Sequence, residues 1–194
     1  KNGEIWVSGN VLCKLDIKDH LLTVRKVDIA VTSPGSLFED KKQNVWMAKG
    51  EEGVYQLTPD NQLTLHLSKD NGYVKSICEE QRGNIYVGSI RKGLFIYDKE
   101  RKTFVPTDLK AKGELPVCFL YSGIPNELYI GTDGKGVVIY NIRTHEISEY
   151  KFDNNYFDSG NSKIHSILKD NSGNLWLAVY QKGVILIPAR TNSF

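Results

Sequence analysis

The sequence predicts an all-β protein made of β-propeller blades, which are four-stranded antiparallel sheets, in about five repeat units. An aromatic residue set between aliphatic ones recurs at Trp6, Trp46, Tyr86, Tyr129 and Trp176, at intervals of 40, 40, 43 and 47 residues. A glycine follows each of the last four aromatic residues after seven positions, and an apolar run follows that glycine. A period of this length built from strands is typical of propellers rather than of helical solenoids.

The first predicted strand of each unit, on the inner side of the blade, precedes the aromatic strand. It covers residues 36–40, 76–80 and 166–170, and each of these segments ends in an acidic residue. Turns rich in Gly and Asn join it to the aromatic strand, because these residues tolerate positive φ. The fourth unit, at residues 119–123, keeps the apolar pattern and lacks the acid.

The third and fourth predicted strands follow the turn glycine. Apolar runs at residues 54–57, 94–97, 137–140 and 184–187 are rich in aromatic and β-branched residues, which favours strands. In the first unit, residues 12–16 take this place after a turn shortened at Gly9. More polar runs at residues 62–67, 102–106 and 146–152 predict the outer strand, where Pro106 suits an edge.

These elements divide a single domain, residues 1–194, into five units. The predicted units are residues 1–27, 28–69, 70–110, 111–152 and 153–194. The first unit is partial, because it has no room for an inner strand, and the last lacks an outer strand. We therefore expect an excerpt of a longer array, whose open faces are covered by other propeller blades of the same protein or by a second copy.

Composition narrows the classes of partner. The chain has 25 basic and 23 acidic residues, and a net charge of +2 gives no reason to expect nucleic acid. No apolar run reaches the roughly 20 residues of a membrane helix, so we expect no membrane segment here. Cys13, Cys78 and Cys118 fall in predicted strands without metal-ligand spacing. We expect buried apolar side chains there, although one disulfide with one free thiol is an alternative.

The repeats resemble those of the two-component regulator propeller family. The segments that carry this resemblance are residues 76–89, 93–98, 128–132 and 166–177. The resemblance covers essentially the whole chain, and it departs from the family pattern at residues 119–125 and at Gly9. It implies a periplasmic sensor region of a hybrid two-component regulator, anchored elsewhere to the inner membrane and connected to a histidine kinase. It also implies binding of a glycan fragment without chemical turnover.

The turns between the aromatic strand and the glycine strand are the first candidate ligand site. In a propeller they open onto the same rim as the connections between blades, and lysine precedes the turn glycine in three units. The candidate residues here are Arg91, Lys92, Asp133, Lys135, Tyr180 and Lys182. Such side chains suit an acidic sugar or the hydroxyl groups of a neutral one. The alternative is a set of solvated lysines beside flexible turns.

The connection between the fourth and fifth units is the second candidate. Most of its extra length falls in residues 152–161, where Tyr156, Phe157 and Asp158 combine aromatic faces with polar groups. A sugar needs an aromatic plate for its C–H face together with donors and acceptors for its hydroxyls. Loops on rigid scaffolds often carry binding residues. An ordinary insertion is the alternative.

Catalysis has little support in the sequence, and we expect no enzyme activity, cofactor or metal in this segment. His20, His66, His145 and His165 fall at different blade positions without zinc-like spacing. The predicted function is a ligand-sensing propeller segment that binds an oligosaccharide. The alternatives are a protein-interaction scaffold and a propeller lyase or hydrolase, which would need a channel histidine such as His165 with an acid and a metal.

Overall fold

The described part of the chain forms eighteen strands in five antiparallel sheets, which we number as blades 1 to 5 in chain order. This computed structural model describes residues 5–18, 20–31, 33, 35–67, 69–107, 115–151, 158 and 160–189. Blade 1 consists of β1 (Ile5–Ser8), β2 (Leu12–Lys18) and β3 (Leu21–Lys26). Blade 2 consists of β4 (Ser36–Glu39), β5 (Val45–Lys49), β6 (Gly53–Leu57) and β7 (Leu63–Leu67).

The remaining blades repeat the same order of strands. Blade 3 consists of β8 (Val74–Glu79), β9 (Ile85–Ser89), β10 (Gly93–Asp98) and β11 (Thr103–Pro106), preceded by a 3-10 turn at Lys69–Asn71. Blade 4 consists of β12 (Val117–Ile124), β13 (Glu127–Thr132), β14 (Val137–Asn141) and β15 (Ile147–Glu149). Blade 5 consists of β16 (Ile164–Lys169), β17 (Leu175–Val179) and β18 (Gly183–Ile187).

Within each blade, strands that are consecutive in the chain pair with one another. Blades 2, 3 and 4 have four strands, while blades 1 and 5 have three in the described residues. Blade 1 and blade 5 are separate sheets, so no single sheet contains strands from both ends of the described chain. The all-β fold, with sheets of three or four strands forming part of a propeller, is as the repeats predict.

Four hydrophobic clusters lie between successive blades and form the core. Between blades 2 and 3, Trp46 and Val54 of blade 2 pack against Val74, Val87 and Phe95 of blade 3. The same positions recur between blades 3 and 4 and between blades 4 and 5. Blades 2, 3 and 4 therefore each bury one face against the preceding blade and the other face against the following one.

A small residue two positions after the repeat aromatic allows neighbouring blades to approach. A Cβ added to Gly88 would lie 2.3 Å from Cγ1 of Val117 in the next blade. A Cβ added to Gly131 would lie 2.8 Å from Cγ2 of Ile164. Real Cβ atoms do not approach so closely, so glycine at these positions is required by packing between blades.

The acidic residue that ends the inner strand caps the following turn. In blade 2, Asp40 Oδ1 accepts hydrogen bonds from the backbone N–H groups of Lys42 and Asn44, both at 2.9 Å. Its Oδ2 accepts from Asn44 Nδ2 at 2.8 Å and from Trp46 Nε1 at 2.9 Å. One carboxylate thus stabilises the turn and satisfies the indole N–H of the repeat aromatic.

Blade 4 forms the same hairpin without the acid. Its inner strand β12 is longer, and it leads directly into a tight turn where Asn126 has a φ of 60°. Instead of a carboxylate on its own turn, blade 4 uses Ser122, whose hydroxyl donates to the backbone oxygen of Glu79 in blade 3 at 2.8 Å. The fourth unit therefore lacks the acidic residue at this turn, as the sequence predicted.

The repeat aromatics are buried in the middle of the array and less so at its ends. Trp46, Tyr86 and Tyr129 are 1%, 2% and 7% exposed. Trp6 is partly buried. A fixed position in the middle of a strand predicts that all five repeat aromatics pack between neighbouring sheets. This prediction is wrong for Trp176, which is 37% exposed. The reason is that its face of blade 5 is not covered by another sheet in the described chain.

All three cysteines are free thiols in the structure. Cys78 and Cys118 are buried, as expected, while Cys13 is only partly buried. Burial raises the pKa of the Cys78 thiol to about 12, which keeps it protonated at neutral pH. Among the described residues, no helix has the length and hydrophobicity needed to span a membrane.

Candidate functional site

The predicted site turns are held on one rim by backbone hydrogen bonds. In blades 3, 4 and 5, a residue in or beside the turn after the aromatic strand donates to the residue that precedes the inner strand of the same blade. These bonds are Ile90 N to Tyr73 O, Asp133 N to Pro116 O and Tyr180 N to Lys163 O, at 2.9, 2.9 and 3.0 Å. The turns and the connections between blades therefore lie on the same rim, and backbone hydrogen bonds fix them to one another.

Several candidate residues meet between blades 4 and 5. We call Asp133, Asp158, Ser162, Lys163, Tyr180 and Lys182 the blade 4–5 rim cluster. Lys163 Nζ donates to Asp133 Oδ2 at 2.5 Å, linking the connection before blade 5 to the turn of blade 4. This hydrogen bond raises the pKa of Lys163, so the lysine remains charged.

An exposed aromatic ring stands beside this ion pair. Tyr180 is 53% exposed, and Lys163 Nζ lies 6.0 Å from the centroid of its ring. The ring of His165 packs against the ring of Tyr180, with centroids 5.6 Å apart and an angle of 47° between the planes. The cluster therefore combines an accessible aromatic face with a charged donor and a carboxylate acceptor, the groups that can bind a sugar ring and its hydroxyls.

The outer part of the cluster is ordered by Asp158. Asp158 Oδ2 accepts from Asn161 Nδ2 at 2.7 Å, and Oδ1 accepts from the backbone N–H of Gly160 at 3.0 Å. The hydrogen bond from Asn161 is the main reason that the pKa of Asp158 is lowered, and the charge of Lys182 adds to it. Ser162 connects Asp158 to Lys182, since its hydroxyl donates to the Asp158 backbone oxygen and accepts from Lys182 Nζ at 3.2 Å.

Lys135 occupies the turn of blade 4 next to the cluster. Its backbone N–H donates to Thr132 Oγ1 at 2.9 Å, and the same hydroxyl donates to the oxygen of Gly136 at 2.7 Å. Gly136 in turn donates its N–H to the oxygen of Ser162 at 2.9 Å. The turn that carries Asp133 and Lys135 is thus fixed to the connection that leads into blade 5.

Arg91 and Lys92 lie elsewhere on the rim, between blades 2 and 3. Arg91 forms an exposed ion pair with Glu51 at 3.5 Å. It lines a cavity of about 610 Å³ together with Glu51, Glu52, Tyr55, Leu65, Asp70 and Gly72. Gly72 has a φ of 77°, and an added Cβ would lie 3.1 Å from Arg91 Cβ and 3.2 Å from Lys92 Cγ. The structure therefore separates the seven predicted residues that it describes into two groups.

Tyr156 and Phe157, the aromatic candidates of the long connection, lie outside the described residues. Lys163 belongs to the site region and was missed by reasoning from the sequence, which considered His165 only as the channel histidine of a lyase. The position of Lys163 could have been predicted, because it aligns with Tyr73 and Pro116, the residues directly before the inner strands of blades 3 and 4. Aligning the starts of the inner strands would have placed Lys163 beside the turn of its own blade.

The histidines do not form a catalytic arrangement with acids in the described chain. His66 contacts Gln56 Oε1 and the backbone oxygen of Lys102, and His145 contacts the Tyr140 hydroxyl. Within the described ranges, no group of three or more His, Cys, Asp or Glu side chains is arranged to hold a metal ion. The lyase alternative is therefore not favoured by a site.

Comparison with known folds agrees with the propeller architecture. Two similar structures are extracellular domains assigned to hybrid two-component systems of B. thetaiotaomicron. Their TM-scores are 0.75 and 0.74, with sequence identities of 20% and 19%. The matches cover 96% and 98% of this chain and 25% and 26% of those chains, so this chain spans about a quarter of their length.

A virginiamycin B lyase variant from Staphylococcus aureus is also similar, with a TM-score of 0.69 and 16% identity. That match covers 98% of this chain and 68% of the lyase. At these identities the likeness establishes the fold alone. No curated protein is similar in sequence. Residues 158–181 match the family model described as the two-component regulator propeller, and this match confirms the resemblance predicted from the repeats.

Proposed function

We propose that this chain is a ligand-recognising part of the periplasmic sensor region of a hybrid two-component regulator. Its ligand is an acidic oligosaccharide, which binds without chemical change at the blade 4–5 rim cluster. The observation that carries the proposal is the exposed ring of Tyr180 beside the Lys163–Asp133 pair. The family match over residues 158–181 includes these turn and connection residues on blade 5, which supports the sensor role.

The chemistry of the cluster favours an anionic sugar over a neutral one. The region contains three lysines, Lys135, Lys163 and Lys182. It contains only two carboxylates, those of Asp133 and Asp158, so it carries an excess of positive charge. A uronate or sulfate group would compete with Asp133 for Lys163, while the C–H face of the sugar would stack on Tyr180. The carboxylate of Asp133 would then be available to accept hydrogen bonds from hydroxyl groups.

Signal transmission would follow from the position of the cluster across two blades. Asp133 belongs to blade 4, whereas Lys163 and Tyr180 belong to blade 5 and its connection. A ligand that contacts both blades stabilises whichever arrangement of the two brings these groups together, and it shifts the population toward that arrangement.

Isothermal titration calorimetry of the 194-residue chain tests this proposal. The titrants are short uronate oligosaccharides and their neutral, carboxyl-reduced analogues. We expect saturable binding of the uronates, and Tyr180→Ala should weaken it at least tenfold, equivalent to about 1.4 kcal/mol. Tyr180→Phe should retain most of the affinity, because it keeps the ring.

The matched control is Lys99→Ala, which removes an exposed lysine from the β10–β11 turn at the opposite rim. It should leave binding unchanged, while Lys163→Ala should weaken the uronates more than the neutral analogues. Equal effects of Lys99→Ala and Lys163→Ala would mean that the uronates respond only to the net charge of the chain, and this would contradict a specific site at the cluster. Absence of binding by every uronate would contradict the ligand class.

A further inference from the structure

The inner strands of three blades carry an extra residue at the same place near the rim. In blade 3 the register with β9 shifts between Val74 and Ser76, so Lys75 has no partner in the ladder. The same shift leaves Cys118 without a partner in blade 4 and His165 without one in blade 5. Such β-bulges turn a side chain out of the regular alternation, and they are frequent at rims and beside functional sites.

Packing of the neighbouring residues explains why the bulge recurs. Val74 and Ile77 both lie in the hydrophobic cluster between blades 2 and 3. Residues three apart in a regular strand point to opposite faces, so one extra residue is needed to bring both to the same face. The corresponding pairs are Val117 with Leu120 in blade 4 and Ile164 with Ile167 in blade 5. The core therefore fixes the residues around the bulge, whereas the residue at the bulge differs from blade to blade.

In blade 5 the residue at the bulge lies beside the blade 4–5 rim cluster. The exposed ring of His165 packs against Tyr180, the aromatic residue of the proposed site. Two positions earlier, the backbone oxygen of Lys163 accepts a hydrogen bond from Tyr180. Tyr73 accepts the equivalent bond two positions before Lys75. Lys75 therefore occupies in blade 3 the position that His165 occupies beside the site.

The inner strand of blade 4 connects Lys75 to the cluster. The neighbouring Ser76 Oγ accepts a hydrogen bond from the backbone N–H of Leu120 at 3.0 Å, which holds β8 beside β12. Burial raises the pKa of the Cys118 thiol, and the charges of Lys75 and Lys163 both act against that rise. The two ammonium groups therefore lie within electrostatic range of the same thiol.

The charge of Lys75 is available to a ligand. The residue is partly exposed, and within the described ranges it makes no hydrogen bond or ion pair. We propose that Lys75 is a second acid-binding lysine of the ligand site, so that the ligand extends from blade 5 to blade 3 and carries at least two acidic groups. This inference rests on the proposed function, and it assigns one acidic group to Lys163 and the other to Lys75.

Calorimetric titration of the 194-residue chain with two ligands of equal length tests the proposal. One ligand is the tetramer of galacturonic acid, and the other is the same tetramer with all but one of its carboxylates reduced. Lys75→Ala should weaken binding of the first about tenfold and binding of the second by less than about twofold. Lys75→Arg keeps the positive charge and should retain most of the affinity for both ligands.

The outcomes separate this inference from the proposed function. Equal losses with both ligands would overturn the second acid-binding position, because Lys75 would then act through the fold or through net charge. No loss with Lys75→Ala also overturns it, while the proposed function stands if Tyr180→Ala still weakens the fully charged tetramer. If neither ligand binds the wild-type chain, the proposed function fails and this inference fails with it.

Acetylation of lysines, read by mass spectrometry, tests the same position without a variant. The fully charged tetramer should slow the acetylation of Lys75 and Lys163 by sulfo-N-hydroxysuccinimide acetate, and it should leave Lys99 unaffected. Protection of Lys163 without protection of Lys75 would overturn the inference and keep the proposed site. Circular dichroism would verify that Lys75→Ala folds as the wild type does, as expected for a side chain without a hydrogen bond in the described structure.

Discussion

Trp46 in blade 2 and Trp176 in blade 5 make the same local contact in different surroundings. In both blades the indole Nε1 donates to Oδ2 of the turn aspartate at 2.9 Å, to Asp40 and to Asp170 respectively. Trp46 is 1% exposed and Trp176 is 37% exposed. The turn and hairpin are thus specified within the repeat, whereas burial of the aromatic side chain depends on the next blade.

This difference predicts unequal costs when the two indoles are removed. Trp46→Ala should lower the free energy of unfolding by about 3–5 kcal/mol, because it leaves a cavity between blades 2 and 3. Trp176→Ala should lower it by less than about 2 kcal/mol, since much of that side chain is already in contact with water. Urea denaturation followed by far-ultraviolet circular dichroism measures both values.

The two variants act as mutual controls, because each also removes one indole hydrogen bond to an aspartate. Both variants should be measured at the same protein concentration. Equal destabilisation by Trp46→Ala and Trp176→Ala would mean that the hydrogen bond, and not packing by the next blade, sets the contribution of the repeat aromatic.

The spacing between blades gives the next largest effect. Gly88→Ala places a methyl group against Val117 of blade 4, and we expect a loss of about 1–3 kcal/mol from overpacking. Ala178→Val enlarges the matching position of blade 5, which faces no sheet in the described chain. That change should alter stability by less than about 0.5 kcal/mol. A tolerated Gly88→Ala would show that blades 3 and 4 can separate without cost.

The turn aspartate of blade 5 gives a smaller, pH-dependent effect. Hydrogen bonds from Trp176 and Asn174 hold the pKa of Asp170 below its usual value. The ionised form therefore stabilises the folded state at neutral pH, and this contribution is lost as pH falls from about 4 through the lowered pKa. Unfolding free energies measured against pH should fall less steeply in acid for Asp170→Asn than for the wild type.

Glu149→Gln is the matched control for that pH series. Glu149 is an exposed carboxylate at the end of β15, outside the turns. Its replacement should therefore leave the fall of the unfolding free energy at acidic pH as it is in the wild type. If the unfolding free energies of the wild type and of Asp170→Asn fell equally steeply at acidic pH, the turn would not favour the ionised aspartate.

The elements that the sequence predicted well are those whose cause is local. The hairpins follow from alternating apolar residues, and the turns follow from an acid such as Asp40 and from glycines such as Gly83, whose φ is 81°. The exposure of Trp176 could not be predicted from its own repeat, because that repeat follows the same residue pattern as the one around Trp46. What differs is the presence of a covering sheet, which lies outside the repeat.

The candidate site was predictable only in outline, for a related reason. Counting from the turn glycines found Asp133, Tyr180 and Lys182, since these share a blade position with the other rim turns. The partner of Asp133 is Lys163, which is thirty positions away in the chain. That pairing depends on how blade 5 sits against blade 4, and the spacing of motifs alone does not contain it.

The most direct test of the account is hydroxyl-radical footprinting of the unmodified, dilute chain, with mass spectrometry to read the oxidation of each tryptophan. The central claim is that the repeat aromatics are buried by the following blade of a radial array. We therefore predict that Trp176 is oxidised fastest, Trp6 at an intermediate rate and Trp46 slowest. Equal oxidation of Trp46 and Trp176 would contradict it.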